Sequence, residues 1–155
     1  MKKLFLIIFC SLVGFASAVE YTVGSIPNPI TANAREFVSN PDGILKAETV
    51  QKMNEMIYAL KTERSAEVVI VAVNSIGQAD HVTFANQLFD AWKIGDAKQD
   101  NGLLILFVLD QRKIKFETGY GLEGVLPDAI CKRIQNQSII PEFRKGNYDA
   151  GMLAG

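Results

Sequence analysis

The sequence predicts a three-layer α/β/α sandwich on a mixed, mostly parallel sheet that ends in one antiparallel edge hairpin. Three observations carry that prediction. Two almost unbroken apolar runs, Glu67 to Val73 and Leu103 to Leu109, have the pattern of strands buried on both faces. A helical periodicity lies between them, and strand, helix and strand in that order make a right-handed βαβ unit whose strands are parallel. The segment Arg112 to Thr118 then alternates Lys113, Lys115 and Glu117 with Ile114 and Phe116, only Asp110-Gln111 after the second run. This is a hairpin that adds an antiparallel edge strand.

From the N-terminus, Lys2 and Lys3 precede the apolar run Leu4 to Val13 and the small residues Ala16-Ser17-Ala18. A bilayer span needs about 20 apolar residues, so this run is too short and reads as a secretory signal peptide, residues 1–18, cleaved after Ala18. The expected location is therefore outside the cytoplasm, in the periplasm or cell envelope. Residues 19–40 carry Gly24, Pro27, Asn28 and Pro29 with no sustained period, which predicts an extended arm along the surface. A single domain is expected over residues 41–155.

Within that domain, Val50, Met53, Ile57 and Leu60 recur at steps of three and four, predicting an amphipathic helix from about Glu48 to Glu63. A second helix starts at Asp80, a good N-cap, and runs to about Lys93. Its apolar side is Val82, Phe84, Ala85, Leu88, Phe89 and Trp92, and Gly95 ends it. If Leu109 faces Arg112 in the hairpin, Gly102 lies opposite Gly119 and Asp100 lies near Gly121. Pro127 and Asp128 open a third helix through Ile130, Cys131, Ile134 and Ile139, ending near Pro141. A further helix begins at Gly146 to Asp149 and is cut short by Gly155.

The chain has 155 residues, 48% hydrophobic and 21% charged, enough for one sizeable core. Sixteen Lys+Arg against 17 Asp+Glu give a net charge of −1, without the basic excess of a protein that grips nucleic acid. Loss of the signal peptide removes two lysines, which leaves 14 Lys+Arg against 17 Asp+Glu and a net charge of −3. It also removes Cys10, so Cys131 stands alone and no intramolecular disulfide can form.

The stretch Gly119-Tyr120-Gly121-Leu122-Glu123-Gly124 is a literal GxGxxG. No nucleotide is expected from it. The preceding strand closes a hairpin instead of opening a βαβ unit, and Glu123 would put negative charge where a pyrophosphate sits. The glycines are better explained by positive φ and close backbone approach. Around them the hairpin and the turn gather Asp100, Asn101, Glu117, Glu123 and Asp128 at one end of the sheet. Carboxylate and amide oxygens in that density suit a hard divalent cation such as calcium. Equally, Asp128 can cap its helix, Asp100 can initiate a turn and the glutamates can be solvated.

FVSNPDGIL at Phe37 to Leu45, FDAWKIG at Phe89 to Gly95, DNGLLILF at Asp100 to Phe107 and ETGYGLEGVLPDA at Glu117 to Ala129 together resemble the TPM domain. That domain is shared by bacterial envelope proteins, a plant thylakoid lumen protein and a nematode receptor modulator. The resemblance extends through PEFRKGNYDAG at Pro141 to Gly151. It implies a secreted, lumenal or membrane-tethered α/β/α sandwich, divalent-cation binding, and a phosphatase activity attributed to the plant branch. The family's acidic positions fall on Asp100, Glu123 and Asp128. The family often has Asp where this chain has Asn40, so a site there loses a charge, with Asp42 as a substitute.

No catalytic nucleophile stands out. His81 is the only histidine and sits beside Asp80 at a helix start, as a surface imidazole. Cys131 has Ile130 and Ile134 at helical spacing and reads as a small buried residue. Phe89 and Trp92 read as core, and Arg133 and Arg144, although able to contact a phosphate, as solvated helix positions. The expected function is an exported, noncatalytic accessory in envelope protein assembly or maintenance that binds a divalent cation, calcium over magnesium. Its partners would be exported or membrane proteins. The alternative is a weak metal-dependent acid phosphatase, with Asp100, Glu123 and Asp128 as ligands and metal-bound water as nucleophile.

Overall fold

The computed structural model describes residues 19–155; the signal peptide reading falls outside them. Four strands, β1 (Val38–Ser39), β2 (Glu67–Val73), β3 (Gly102–Val108) and β4 (Lys113–Thr118), form one sheet in the order β1-β2-β3-β4. The first three are parallel and β4 is antiparallel at the edge. The helices are α1 (Pro29–Ala32), α2 (Ala47–Arg64), α3 (His81–Trp92), α4 (Asp128–Ile134), α5 (Ile140–Phe143) and α6 (Tyr148–Ala154). Among the described residues, no helix is long and apolar enough to cross a membrane.

The unbroken apolar runs are explained by their surroundings. Val68, Ile70, Ala72, Leu103, Ile105 and Phe107 share a core with Met53 and Ile57 of α2, Cys131 of α4 and Met152 of α6. The alternate residues Val69, Val71, Val73, Leu104, Leu106 and Val108 pack with Phe84, Ala85 and Leu88 of α3. Both faces of the two central strands are therefore covered, the arrangement that lets a strand dispense with polar alternation. Phe89 and Trp92 pack against the α3-side core.

The hairpin has the predicted register, with Leu103 opposite Thr118 and Val108 opposite Lys113. Arg112 takes a left-handed conformation (φ 52°) and donates its N–H to the Leu109 carbonyl at 3.1 Å. The Asp80 carboxylate caps α3 as expected, accepting the Thr83 N–H at 2.9 Å. That helix runs to Trp92 and is capped by Lys93 in the left-handed region (φ 50°), close to the expected end, with Lys93 and not Gly95 making the turn.

Two segments depart from expectation. The arm over residues 19–40 contains α1 and the edge strand β1, and it is built into both cores. Phe37 is 1% exposed on the α2 side and Ile26 is buried on the α3 side. Its apolar residues are too sparse to show a period, yet Ile26 and Phe37 each land in a core against a sheet face. The third helix ends close to Pro141, as expected, but not as one regular α-helix. A π turn at Gln135–Ile139 links α4 to α5, which continues to Phe143. Proline lacks the N–H and its ring crowds the carbonyl four residues earlier, and the wider turn absorbs that mismatch. At the other end of the chain, the Asp149 carboxylate in α6 accepts the Lys46 N–H at 2.8 Å where α2 begins, tying the last helix to the first long one.

Candidate functional site

Asp100 lies where the loop from α3 enters β3, in a left-handed conformation (φ 47°) that Asp tolerates better than most residues. Its Oδ2 accepts the Tyr120 N–H at 3.0 Å, and its carbonyl accepts the Gly121 N–H at 2.9 Å. The hairpin arithmetic thus brings Asp100 to the Gly-rich turn as predicted. A Cβ at position 119 would lie 2.3 Å from the Asp100 carbonyl oxygen, and one at 121 would lie 1.8 Å from that of Gln99. The two glycines are there for close approach. Positive φ, the other reason expected for them, is not used: Gly119 has φ −69°, and the left-handed glycines lie elsewhere in the chain.

The loop feeding this turn is closed on itself. The Asp96 carboxylate accepts the Lys98 and Gln99 N–H groups at 2.8 and 3.0 Å, and the Asp96 carbonyl accepts the Asp100 N–H at 2.7 Å. Asn101 is buried and fully engaged. Its Oδ1 accepts the Asp96 N–H at 2.8 Å, while its Nδ2 donates to the Ser65 carbonyl at the end of α2 and to Gln99. Glu67 fastens the same corner, accepting the Gly95 N–H at 2.9 Å and pairing with Lys61 at 3.0 Å. Neither Asp96 nor Glu67 stands out in the sequence, since a polar first residue of a strand and a loop Asp are both ordinary.

The remaining predicted residues divide. Glu117 lies on β4 opposite Leu104 and pairs with Lys115 at 3.2 Å. Glu123 ends the 3-10 turn Tyr120–Leu122 and is exposed. Asp128 is exposed on the first turn of α4, where a carboxylate suits the helix dipole, although Pro127 occupies the cap position. Asn40 and Asp42 lie at the opposite end of the parallel strands. The Asn40 amide both accepts from the Leu45 N–H (3.2 Å) and donates to the Leu45 carbonyl (2.7 Å). An Asp there could only accept, so the amide is the better residue for this loop. Asp42 accepts the Tyr21 hydroxyl at 3.2 Å and the Asn74 N–H at 2.7 Å. Desolvation, and then the bond to the Asp42 carboxylate, push the Tyr21 phenol up.

Among the described residues, no three His, Cys, Asp or Glu side chains group closely enough to hold a metal ion. Of the predicted ligands, Asn101, Asn40 and Asp42 have their polar atoms committed to the fold and Glu117 has a cation. Asp100, Glu123 and Asp128 are the donors left at the turn. They do not supply the six to eight protein oxygens of a closed calcium cage. Cys131 is buried, and that burial, with the Asp128 charge beside it, raises its thiol pKa. It is not poised as a nucleophile. His81 stands 3.7 Å from Asp80 at the start of α3.

Comparison with known proteins places the fold in a family. The family model described as the TPM domain matches residues 38–155. The solution structure of the N-terminal domain of a P. gingivalis protein is 39% identical, with a TM-score of 0.81, covering 86% of this chain and 85% of that one. BA42 from Bizionia argentinensis is similar at 21% identity and a TM-score of 0.62, covering 74% and 77%. The N-terminal domain of cg2496 from Corynebacterium glutamicum is 15% identical with a TM-score of 0.62, covering 86% and 81%. The last two share the fold. No curated protein matches the chain. The match begins on β1 and includes every strand of the sheet and the Gly-rich turn: this chain belongs to the TPM domain family.

Proposed function

We propose that this chain is an exported, noncatalytic TPM module of the cell envelope that takes a divalent cation, calcium in preference to magnesium, on the rim bearing Asp100, Glu123 and Asp128. It serves in the assembly or maintenance of other exported or membrane proteins. The observation that supports the cation reading is the contact of Asp100 Oδ2 with the Tyr120 N–H. It holds the turn that carries Glu123 against the loop that carries Asp100, and one oxygen of Asp100 is left over. A cation taken by that oxygen, with water filling its remaining positions, would cross-link the loop to the turn. Such a site is open, water-rich and weak.

Thermal unfolding with added salt tests this. A ligand that binds only the folded state raises the midpoint in proportion to the logarithm of its concentration above Kd. Millimolar calcium should raise the midpoint of the wild-type protein more than magnesium does. It should leave a Glu123→Gln/Asp128→Asn variant unchanged. In parallel, p-nitrophenyl phosphate turnover should not exceed that of buffer with either metal. Turnover that disappears with chelator and with Asp100→Ala would replace this reading by a metal-dependent phosphatase.

A further inference from the structure

A cleft of about 790 Å³ opens at the hairpin end of the sheet, between the start of β4 and the end of α5. Its volume is that of ligand and peptide sites, which commonly span a few hundred to about 1,000 Å³. Arg112 and Lys113 line one side and Arg144 and Lys145 the other, all four exposed. No Asp or Glu is among the lining residues, in a chain whose net charge is −1. Lys145 is paired with Glu142 at 2.6 Å, just outside the cleft, so Arg112, Lys113 and Arg144 hold most of the positive field.

The floor is aromatic. The Phe107 ring lies 4.4 Å from that of Phe143 and 5.3 Å from that of Tyr148, and the latter two meet edge-on at 5.3 Å. Phe143 holds this position because residue 151 is glycine: a Cβ there would lie 2.6 Å from the Phe143 ring. Beside the cleft, β4 has a strand neighbour on one side only.

Each feature selects the same occupant. Guanidinium groups recognise carboxylates in a bidentate fork, and a concave surface of one sign focuses the field on an anion. Half-buried aromatic rings such as Phe143 and Tyr148 take a flat or aliphatic side chain. An edge strand offers its free backbone groups to an extended segment. We infer that this cleft docks an extended acidic segment of a partner protein. Its carboxylates meet Arg112, Lys113 and Arg144, and one apolar side chain sits against the half-buried Phe143 and Tyr148 rings, which Phe107 backs from the core. The inference rests on reading the chain as a binding module, and it is independent of the cation at the turn.

The test is an amide NMR titration of the protein with an acetylated heptapeptide of glutamates around one phenylalanine. Two controls accompany it, the same peptide with glutamines and inorganic phosphate. Shifts should concentrate at Phe107, Arg112 to Ile114 and Phe143 to Tyr148. The glutamine peptide and Arg112→Ser/Arg144→Ser should each weaken binding by about tenfold or more. Gly151→Ala, which moves Phe143 without changing charge, should weaken it as well. Binding of the glutamine peptide with equal affinity, shifts elsewhere, no binding at millimolar peptide, or displacement of the peptide by equimolar phosphate would each overturn the inference. A calcium response at the turn without peptide binding removes this inference alone; peptide binding without a calcium response leaves it standing and removes the cation.

Discussion

Asp100 and Tyr120 are joined by a 3.0 Å hydrogen bond from the Tyr120 N–H to the Asp100 carboxylate, across the end of the β3–β4 hairpin. With the neighbouring bond from Gly121 to the Asp100 carbonyl, it makes the Gly-rich turn and the loop before β3 one structural unit. Two glycines of the GxGxxG stretch exist for that junction, and the third does not.

Alanine substitution should therefore separate them. Gly121→Ala drives a Cβ into the Gln99 carbonyl and should destabilise the fold by roughly 1–3 kcal/mol. Gly124 has open space around its Cα and no left-handed φ, so Gly124→Ala should be neutral or stabilise by up to about 1 kcal/mol. Urea denaturation of the two variants measures the difference directly. A dinucleotide-type loop would make both glycines matter for ligand and neither for folding.

Asn101 and Asn40 should behave as structural residues. Asn101→Ala strips partners from the Asp96 N–H and the Ser65 carbonyl in a buried corner and should cost about 1–3 kcal/mol. Asn40→Asp keeps the acceptor for the Leu45 N–H but loses the donor to the Leu45 carbonyl, for about 1 kcal/mol. It should leave the calcium response of the turn unaltered. An Asn40→Asp variant with tighter calcium binding would bring that loop into the site.

Phe37 precedes β1 and is buried against α2, with its N–H donated to Asn54 Oδ1 at 2.8 Å. Phe37→Ala should cost about 3–5 kcal/mol, a core penalty and not a surface one. Equilibrium unfolding of this variant checks whether the arm is part of the cooperative unit.

What was legible in the sequence follows from how local each signal is. The buried strands, the α3 cap and the hairpin register are encoded in contiguous patterns, and all are present in the fold. The arm was not, because Ile26 and Phe37 enter separate cores as single residues without a period. The π turn was not, because a proline signals a break and several geometries accommodate one. At the candidate site, the meeting of Asp100 with the glycine turn was readable by counting along the hairpin. The commitments of Asn101, Asn40 and Asp42 were not, since their partners Ser65, Leu45 and Asn74 are backbone groups that carry no sequence signature. The cationic cleft was hidden for a related reason: Arg112-Lys113 and Arg144-Lys145 look like two solvated pairs until the topology sets them face to face.

Asp80 supplies a pH dependence with a definite sign. The Thr83 N–H and hydroxyl hold its carboxyl below the ordinary value of 3.8. Its contribution is fully present above that ordinary value and is lost as pH falls through the lower folded-state pKa. The Thr83 amide shift should titrate with Asp80 in acid, and Asp80→Asn should keep the cap while abolishing that titration.

Cys131 should resist modification, since its buried thiol has a raised pKa. At pH 8 a disulfide reagent such as Ellman's should react with it only slowly in the native protein and at the normal thiol rate in urea. Fast native labelling would mean that α4 opens from the sheet.

Calcium binding at the turn is decided by a calcium titration followed by amide NMR, with wild-type protein beside Glu123→Gln/Asp128→Asn. Saturable shifts in the millimolar range should be confined to Gln99 to Asn101 and Gly119 to Asp128, absent from the variant and smaller with magnesium. No movement at millimolar calcium, or shifts centred on Asn40 and Asp42 at the other end of the sheet, would contradict it.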